Sequence, residues 1–461
     1  MTFSKTLLSV AVLGTLLSAC GGGGGSDGST DSSTDSSSTT TNKTTMGRIS
    51  GFGSVIVNGV HYDVEGASVT SDGVSITEAD LKVGMIVRVK GQSNGDGTGT
   101  AVSLSFDDDL EGPVSSVDPT NKQFVVLGQT VIVSADTVFD GITFDTLIAD
   151  TVVEVSGFFD STGNIRASLV EKSDSTDFET KGRISGLDTA AETFLLGGLT
   201  VSYTGAVLDD IAALAEGLFV EVKTSQPLQN GVLIAEKIEA EEEGVDVEEG
   251  EELEISGIIT DFSSDGFAVN GQAVRVDAGT EFDGGSAIGL ANDVRIEVEG
   301  QVDASGVLVA EEVSFEQESQ IEVEASLDAV SANSISLLGR EFKVNDRTFF
   351  KDESSFNDKF LNLEKLLSGQ WVEVDAYQAT DGSLVATSIE RRDIEEESTA
   401  SLQGPVEESA EPNFKIIGIT VTTDTNTSFE GPFPQQGELV EAEGKLTADG
   451  VLQADSVEQE D

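Results

Sequence analysis

The chain is 461 residues long and carries 25 basic against 84 acidic side chains, a formal net charge of −59. A field of that sign repels phosphate, and the scattered Lys and Arg form no basic groove, which argues against nucleic acid as a partner. One cysteine and one histidine exclude a disulfide framework and any multi-histidine metal site.

The first predicted element is a secretory signal. Lys5 precedes an uncharged apolar run from Thr6 to Leu17, and Leu17-Ser18-Ala19-Cys20 places small residues before the cysteine. The run has 12 residues, whereas crossing a bilayer takes about 20. The quartet resembles the bacterial lipoprotein cleavage box. It implies removal of residues 1–19 and lipid attachment to Cys20, and two or more acyl chains anchor stably where one does not. Gly21 stands where an Asp would resemble the inner-membrane retention signal. The expected location is therefore the cell envelope, lipid-anchored at the outer membrane. Residues 20–45 are mostly Gly, Ser, Thr and Asp, and they read as a disordered linker with a reach of about 25–30 Å.

Beyond the linker the chain repeats itself. Leu-x-x-Gly followed by alternating apolar residues appears as LKVGMIVRVKG from Leu81, LIADTVVEVSG from Leu147 and LAEGLFVEVKT from Leu214. It returns as LANDVRIEVEG from Leu290, LLSGQWVEVDA from Leu366, and PQQGELVEAEG with Pro434 in the Leu position. The equivalent residues Val87, Val153, Val220, Ile296, Val372 and Val440 lie 66 to 76 residues apart. A second element, Gly-x-[Leu/Ile]-x-Ala, follows each and aligns Ala101, Ala167, Ala235, Ala310, Ala386 and Ala454. Two linked elements in six copies indicate tandem duplication. The units read as 46–106, 107–174, 175–243, 250–317, 318–394 and 395–461.

Each unit has the two-residue period of strands with one buried face. An opening strand such as GRISGF at Gly47 comes first. Two strands joined by a Gly-containing turn follow, as in FVVLGQTVIV from Phe124. The Val-x-Val and Gly-x-Leu-x-Ala segments make a second hairpin. A helical turn is expected before Leu-x-x-Gly, as in DDIAALAEG from Asp209. The fold class is all-β: a tandem array of about six small five-stranded, OB-like barrels after a disordered tether. Closed barrels would sit as beads on a string, with a continuous solenoid as the alternative. The opening GFGSVIVNGVHYDV from Gly51, with the two later elements, resembles repeats of the bacterial domain-of-unknown-function 5666 family. That resemblance covers most of residues 46–459 and implies barrel-like repeats without an established activity.

Few residues offer chemistry. The run from Glu239 to Glu254 has ten acids in sixteen residues and reads as a solvated linker, with weak calcium association as the other option. His61 alternates with strand residues and reads as a rim position rather than a catalytic base. Asn94 to Gly99 resembles half a calcium loop, but Ser105 stands where the bidentate Glu belongs. If Val372, Val374 and Ala376 point inward, then Trp371, Glu373, Asp375 and Tyr377 share the outer face as a candidate ligand platform. No catalytic residues, metal ligands or cofactor are expected. The expected function is a non-enzymatic cell-envelope lipoprotein that displays β modules for surface interaction or envelope structure. Its partners would be the membrane through Cys20 and an envelope protein or glycan. The alternatives are a carbohydrate- or ligand-binding module and, last, a carboxylate-dependent hydrolase.

Overall fold

The computed structural model describes residues 41–459, apart from 108, 210, 242, 243, 318, 380 and 395–398. The signal segment, Cys20 and most of the linker lie outside the described residues. Among the described residues there are strands and four short 3-10 turns, and no α-helix.

Repeat 2 shows how these residues make the unit. Its opening strand, Leu110–Asp118, bends at a bulge between Val114 and Ser116, so one strand borders two neighbours. Leu110 to Pro113 face the fourth ring strand, Val152–Phe159, and Val114 to Asp118 face the second, Gln123–Val126. The turn Leu127-Gly128 leads into the third, Gln129–Ile132. Both turn residues have positive φ, 47° and 80°, as a two-residue hairpin demands. Leu127 offsets that strain by burying its side chain completely. The fifth ring strand, Ile165–Lys172, pairs antiparallel with the fourth and parallel with the third. The ring therefore closes in the order one, two, three, five, four, one, which is the OB-like barrel. A short extra strand, Val138–Asp140, lies parallel to the far half of the fifth.

The repeated residues are the core. All six Val or Ile positions of the Val-x-Val element are buried, as are all six alanines. Leu81, Leu147, Leu290 and Leu366 are buried under the ring, and Pro434 takes the same place in repeat 6. The 3-10 turn expected before this position occurs as Glu78–Asp80, Phe144–Thr146, Ala287–Gly289 and Leu363–Lys365. It is missing among the described residues after Asp209, the very segment that exemplified it in sequence.

A bulge in the second hairpin explains another recurring residue. The register shifts at Gly91, Gly157, Gly300 and Gly444. A Cβ there would lie 2.1–2.4 Å from a carbonyl oxygen of the facing strand. Repeat 5 manages with Ala376. Repeat 3 has Thr224, and only there is the fifth strand broken, into Val232–Ile234 and Lys237–Ala240.

The barrels are not beads on a string. Residues Thr39–Asp461 form one compact unit, in which barrels fuse through their opening strands. The first half of that strand has an edge its own second strand never covers. Repeats 2 and 3 join antiparallel there (Glu179↔Glu111, Thr180↔Leu110), and so do repeats 5 and 6 (Val323↔Leu402). Repeat 1 instead skips to repeat 4 and joins it in parallel, from Lys43↔Glu252 to Met46↔Ile255. This corrects the linker boundary. Thr41–Gly51 is a strand paired on both sides, and Lys43, Thr44 and Thr45 are buried despite their polarity. The acidic run between repeats 3 and 4 is exposed at Asp246, Glu248 and Glu249, as a solvated linker should be, but it is not solvated throughout. Val245 packs into the core of repeat 4, and Glu254 is only 3% exposed in the seam.

Candidate functional site

The barrel interiors are filled by side chains, so open space lies between barrels. A cleft of about 460 Å³ forms where repeats 1 to 4 meet. Its apolar lining begins with Met46 and Ile86 of repeat 1 and Phe158 of repeat 2, with Ile258 of repeat 4 packed behind Ile86 and Phe158. Phe159 and Phe219 extend this wall, their rings edge to face at 6.3 Å. The sequence shows why these side chains line it. Ile86 and Phe158 sit at the ends of long hairpin strands, beyond the reach of their own barrel cores.

The opposite wall is charged. Lys181, 8% exposed, lies 3.6 Å from Glu221. Asp109 accepts a hydrogen bond from the Gly157 amide at 3.0 Å; burial nevertheless pushes its carboxyl up to about 6, against the pull of Lys181. Arg183 is half exposed and 4.0 Å from Asp261. Arg88 donates to the Gly244 carbonyl at a long 3.5 Å, while its Nε is buried without a partner among the described residues. An apolar wall facing displaceable charges suits an amphipathic small molecule.

The outer face of repeat 5 is arranged differently from the expected platform. Val372, Val374 and Ala376 do point inward and are fully buried. Trp371 is only 8% exposed and Asp375 4%. Trp371 Nε1 donates to Glu324 at 2.6 Å, and Ser388 Oγ donates to Asp375 at 2.5 Å. Burial and the neighbouring Glu322 raise the Glu373 carboxyl to about 7. Arg392 binds Glu373, Glu390 and Glu324 at 2.9, 3.0 and 3.6 Å. Tyr377 alone reaches a cavity wall. Trp371, Glu373 and Asp375 are thus tied to Glu324, Arg392 and Ser388, and the four residues do not form one open platform. Arg391, next to Arg392 in the chain, pairs with Asp352.

Other candidates also resolve. His61 lies in the strand Val60–Asp63, with Ser54 Oγ 3.2 Å from Nδ1 and Asp346 3.7 Å from Nε2. At that distance the exposed carboxylate does not hydrogen-bond the ring, so no oriented base stands behind the serine. Asp96, in the calcium-like loop, accepts from the Thr98 amide at 3.1 Å and hydroxyl at 2.6 Å. Asp160, Asp303 and Asp381 do the same in their hairpins, so the motif is a turn. Carboxylates of Asp72, Glu179 and Glu221 come within 4.8 Å of one another and could hold a cation. Lys223 already sits 3.0 Å from Glu179 and 2.9 Å from Glu221.

Six segments match one family model, the domain of unknown function DUF5666: residues 46–105, 111–171, 181–239, 256–314, 323–390 and 403–458. The chain belongs to the DUF5666 family. Each matched segment corresponds to one OB-like barrel, so a DUF5666 copy is a structural unit and the cleft is built by four copies together. No curated protein matches the chain. Sequence reading missed the cleft because its walls come from residues as far apart as Met46 and Gly271. Phe158-Phe159 was the available signal: an aromatic pair at a strand end in which alternation can bury only one ring in the core.

Proposed function

We propose that the chain is an exported, lipid-anchored and non-enzymatic binding protein, whose fused DUF5666 barrels hold a small amphipathic ligand in the four-repeat cleft. The observation that carries this reading is the cleft itself, lined by apolar side chains of repeats 1, 2 and 3 together with Arg88, Lys181 and Arg183. The signal segment, the box ending at Cys20 and the Gly-Ser-Thr linker support display from a membrane. Among the described residues that line the cleft, none pairs a nucleophile with an oriented base, and binding is the reading we adopt.

Calorimetric titration of the mature chain with single-chain amphiphiles and aromatic acids tests the cleft. Phe159→Ala is expected to weaken any binder about tenfold or more, from the loss of one buried aromatic side chain. A binder indifferent to both Phe159→Ala and Arg183→Glu would place recognition elsewhere and defeat the reading. Mass spectrometry of the mature N-terminus tests the anchor, and a free thiol on Cys20 would remove it.

A further inference from the structure

A second cavity, of about 110 Å³, lies where repeats 1, 2, 4 and 5 meet. Three guanidinium groups line it: Arg48 from repeat 1, Arg295 from repeat 4 and Arg347 from repeat 5. The carboxylates on its wall are Asp136, Glu297 and Glu316, and Tyr377 and Thr387 add hydroxyls. Two of the arginines are matched. Arg295 lies 2.6 Å from Glu316 and 3.6 Å from Asp136, and Arg347 lies 2.7 Å from Glu297. Asp136 also accepts from Ser319 Oγ at 3.3 Å.

Arg48 is the exception. Its guanidinium stacks on the Phe349 ring at 3.5 Å and donates once, from Nη1 to the Asp136 carbonyl at 3.3 Å. Among the described residues no carboxylate lies within ion-pair distance of it. A guanidinium has five N–H donors, and withdrawing its charge from water without a counter-ion is costly. Burial and the like charge of Arg295 push Arg48 well below the ordinary arginine range, to about 9. The neighbouring carboxylates Asp136 and Glu316 act only at longer range in the opposite direction. Arg48 is thus a cation held against another cation, beside an open space bordered by hydroxyls.

We propose that this cavity binds a small monovalent anion, a halide or the carboxylate of a small organic acid, on the Arg48 guanidinium. The fork of N–H donors left free by Phe349 stacking matches a carboxylate in two parallel hydrogen bonds. Bound there, the anion ties repeat 1 to repeats 2, 4 and 5 at the centre of the fused unit. This inference does not rest on the ligand cleft, whose lining shares no residue with this cavity.

Thermal unfolding of the mature full chain in sodium acetate and, separately, sodium bromide tests it, with the Arg48→Met variant as reference at each concentration. General salt effects act on both proteins, so the difference between them reads the site. The native midpoint is expected to rise about 3 °C more than the variant's at saturating anion. A rise in acetate alone identifies a carboxylate site, and a rise in bromide as well extends it to halides. Parallel curves for both proteins in both salts overturn the proposal. Should Arg48→Met fail to fold, crystals of the native chain grown in bromide decide. Anomalous density within hydrogen-bond reach of Arg48 supports the site, and its absence there, together with no planar density on the guanidinium in crystals grown in acetate, refutes it.

Discussion

The seam between repeats 1 and 4 and the seam between repeats 5 and 6 join the same strand of the same unit in opposite directions. Repeats 5 and 6 are consecutive and pair antiparallel, with Val323↔Leu402 at the centre of three matched positions. Repeats 1 and 4 pair in parallel over four positions, and repeats 2 and 3 intervene in the chain. Chemistry changes with direction. The parallel seam places Lys43, 5% exposed, 2.8 Å from both Glu254 and Glu299 and 3.5 Å from Glu252. The difference teaches that the uncovered half of the opening strand is a general docking edge. Connectivity and the buried Lys43 are the two features that set this pairing apart from that of repeats 5 and 6. Closing a loop of some 207 residues costs little more than closing a shorter one, because that entropy grows only with the logarithm of length.

Breaking the parallel seam should have the largest effect. Lys43→Met leaves Glu254 buried without its cation, which is expected to cost about 3–5 kcal/mol. Chemical denaturation measures the loss, and hydrogen exchange should show Thr44 to Met46 opening while Val323 stays protected. Uniform exchange at both seams would mean that the lysine does not select the pairing. The comparison sharpens with Gly300→Val in the second hairpin of repeat 4. Its Cβ would lie 2.1 Å from the Val309 carbonyl oxygen, and the expected loss is about 1–3 kcal/mol. Repeat 3 already shows the outcome, since Thr224 at the equivalent place accompanies a divided strand. Next comes Arg392→Met beside the antiparallel seam. That side chain is about a third exposed and Glu324 keeps the Trp371 donor, so about 1–2 kcal/mol is expected from the same denaturation assay.

Much of the fold was legible because a barrel is a local pattern. The six aligned valine or isoleucine positions and the six alanines face inward in the structure, as strand alternation requires. The seams were not legible, for a physical reason. Lys43-Thr44-Thr45 is polar and looks like linker, yet its backbone is hydrogen-bonded on both sides and its charge is neutralised by carboxylates from a distant repeat. Trp371 and Asp375 fail as an open platform on similar grounds. Alternation says which face a side chain takes, and it is silent about what covers that face. The cleft escaped notice because four copies contribute to it and no single copy contains a recognisable share.

The smallest predicted effect is a pH dependence that runs opposite to ordinary acid denaturation. Burial raises Glu297 to about 8, and Glu179, Glu373 and Glu390 each to about 7. A carboxyl raised in the folded chain binds more protons folded than unfolded between its two pKa values. Stability therefore falls as pH climbs from about 4.5 through 7 or 8, and is largest where these groups are protonated in both states. Asp352 has the contrary sign. Arg391 and hydrogen bonds from Ser354 and the Asp358 amide hold it near 2, so its stabilising contribution disappears only as pH drops from about 4 towards 2. The thermal midpoint at constant ionic strength should thus peak near pH 5 and decline towards pH 8. The expected change is on the order of 1 kcal/mol for each of these groups after allowance for solvent screening. Glu373→Gln separates the buried network from general repulsion within a chain of net charge −59. It should remove part of the decline, whereas repulsion alone would leave the slope almost unchanged. A midpoint that rises steadily to pH 8 would show that the junction carboxylates are ionised at no cost, and that the two kinds of seam differ only in strand direction.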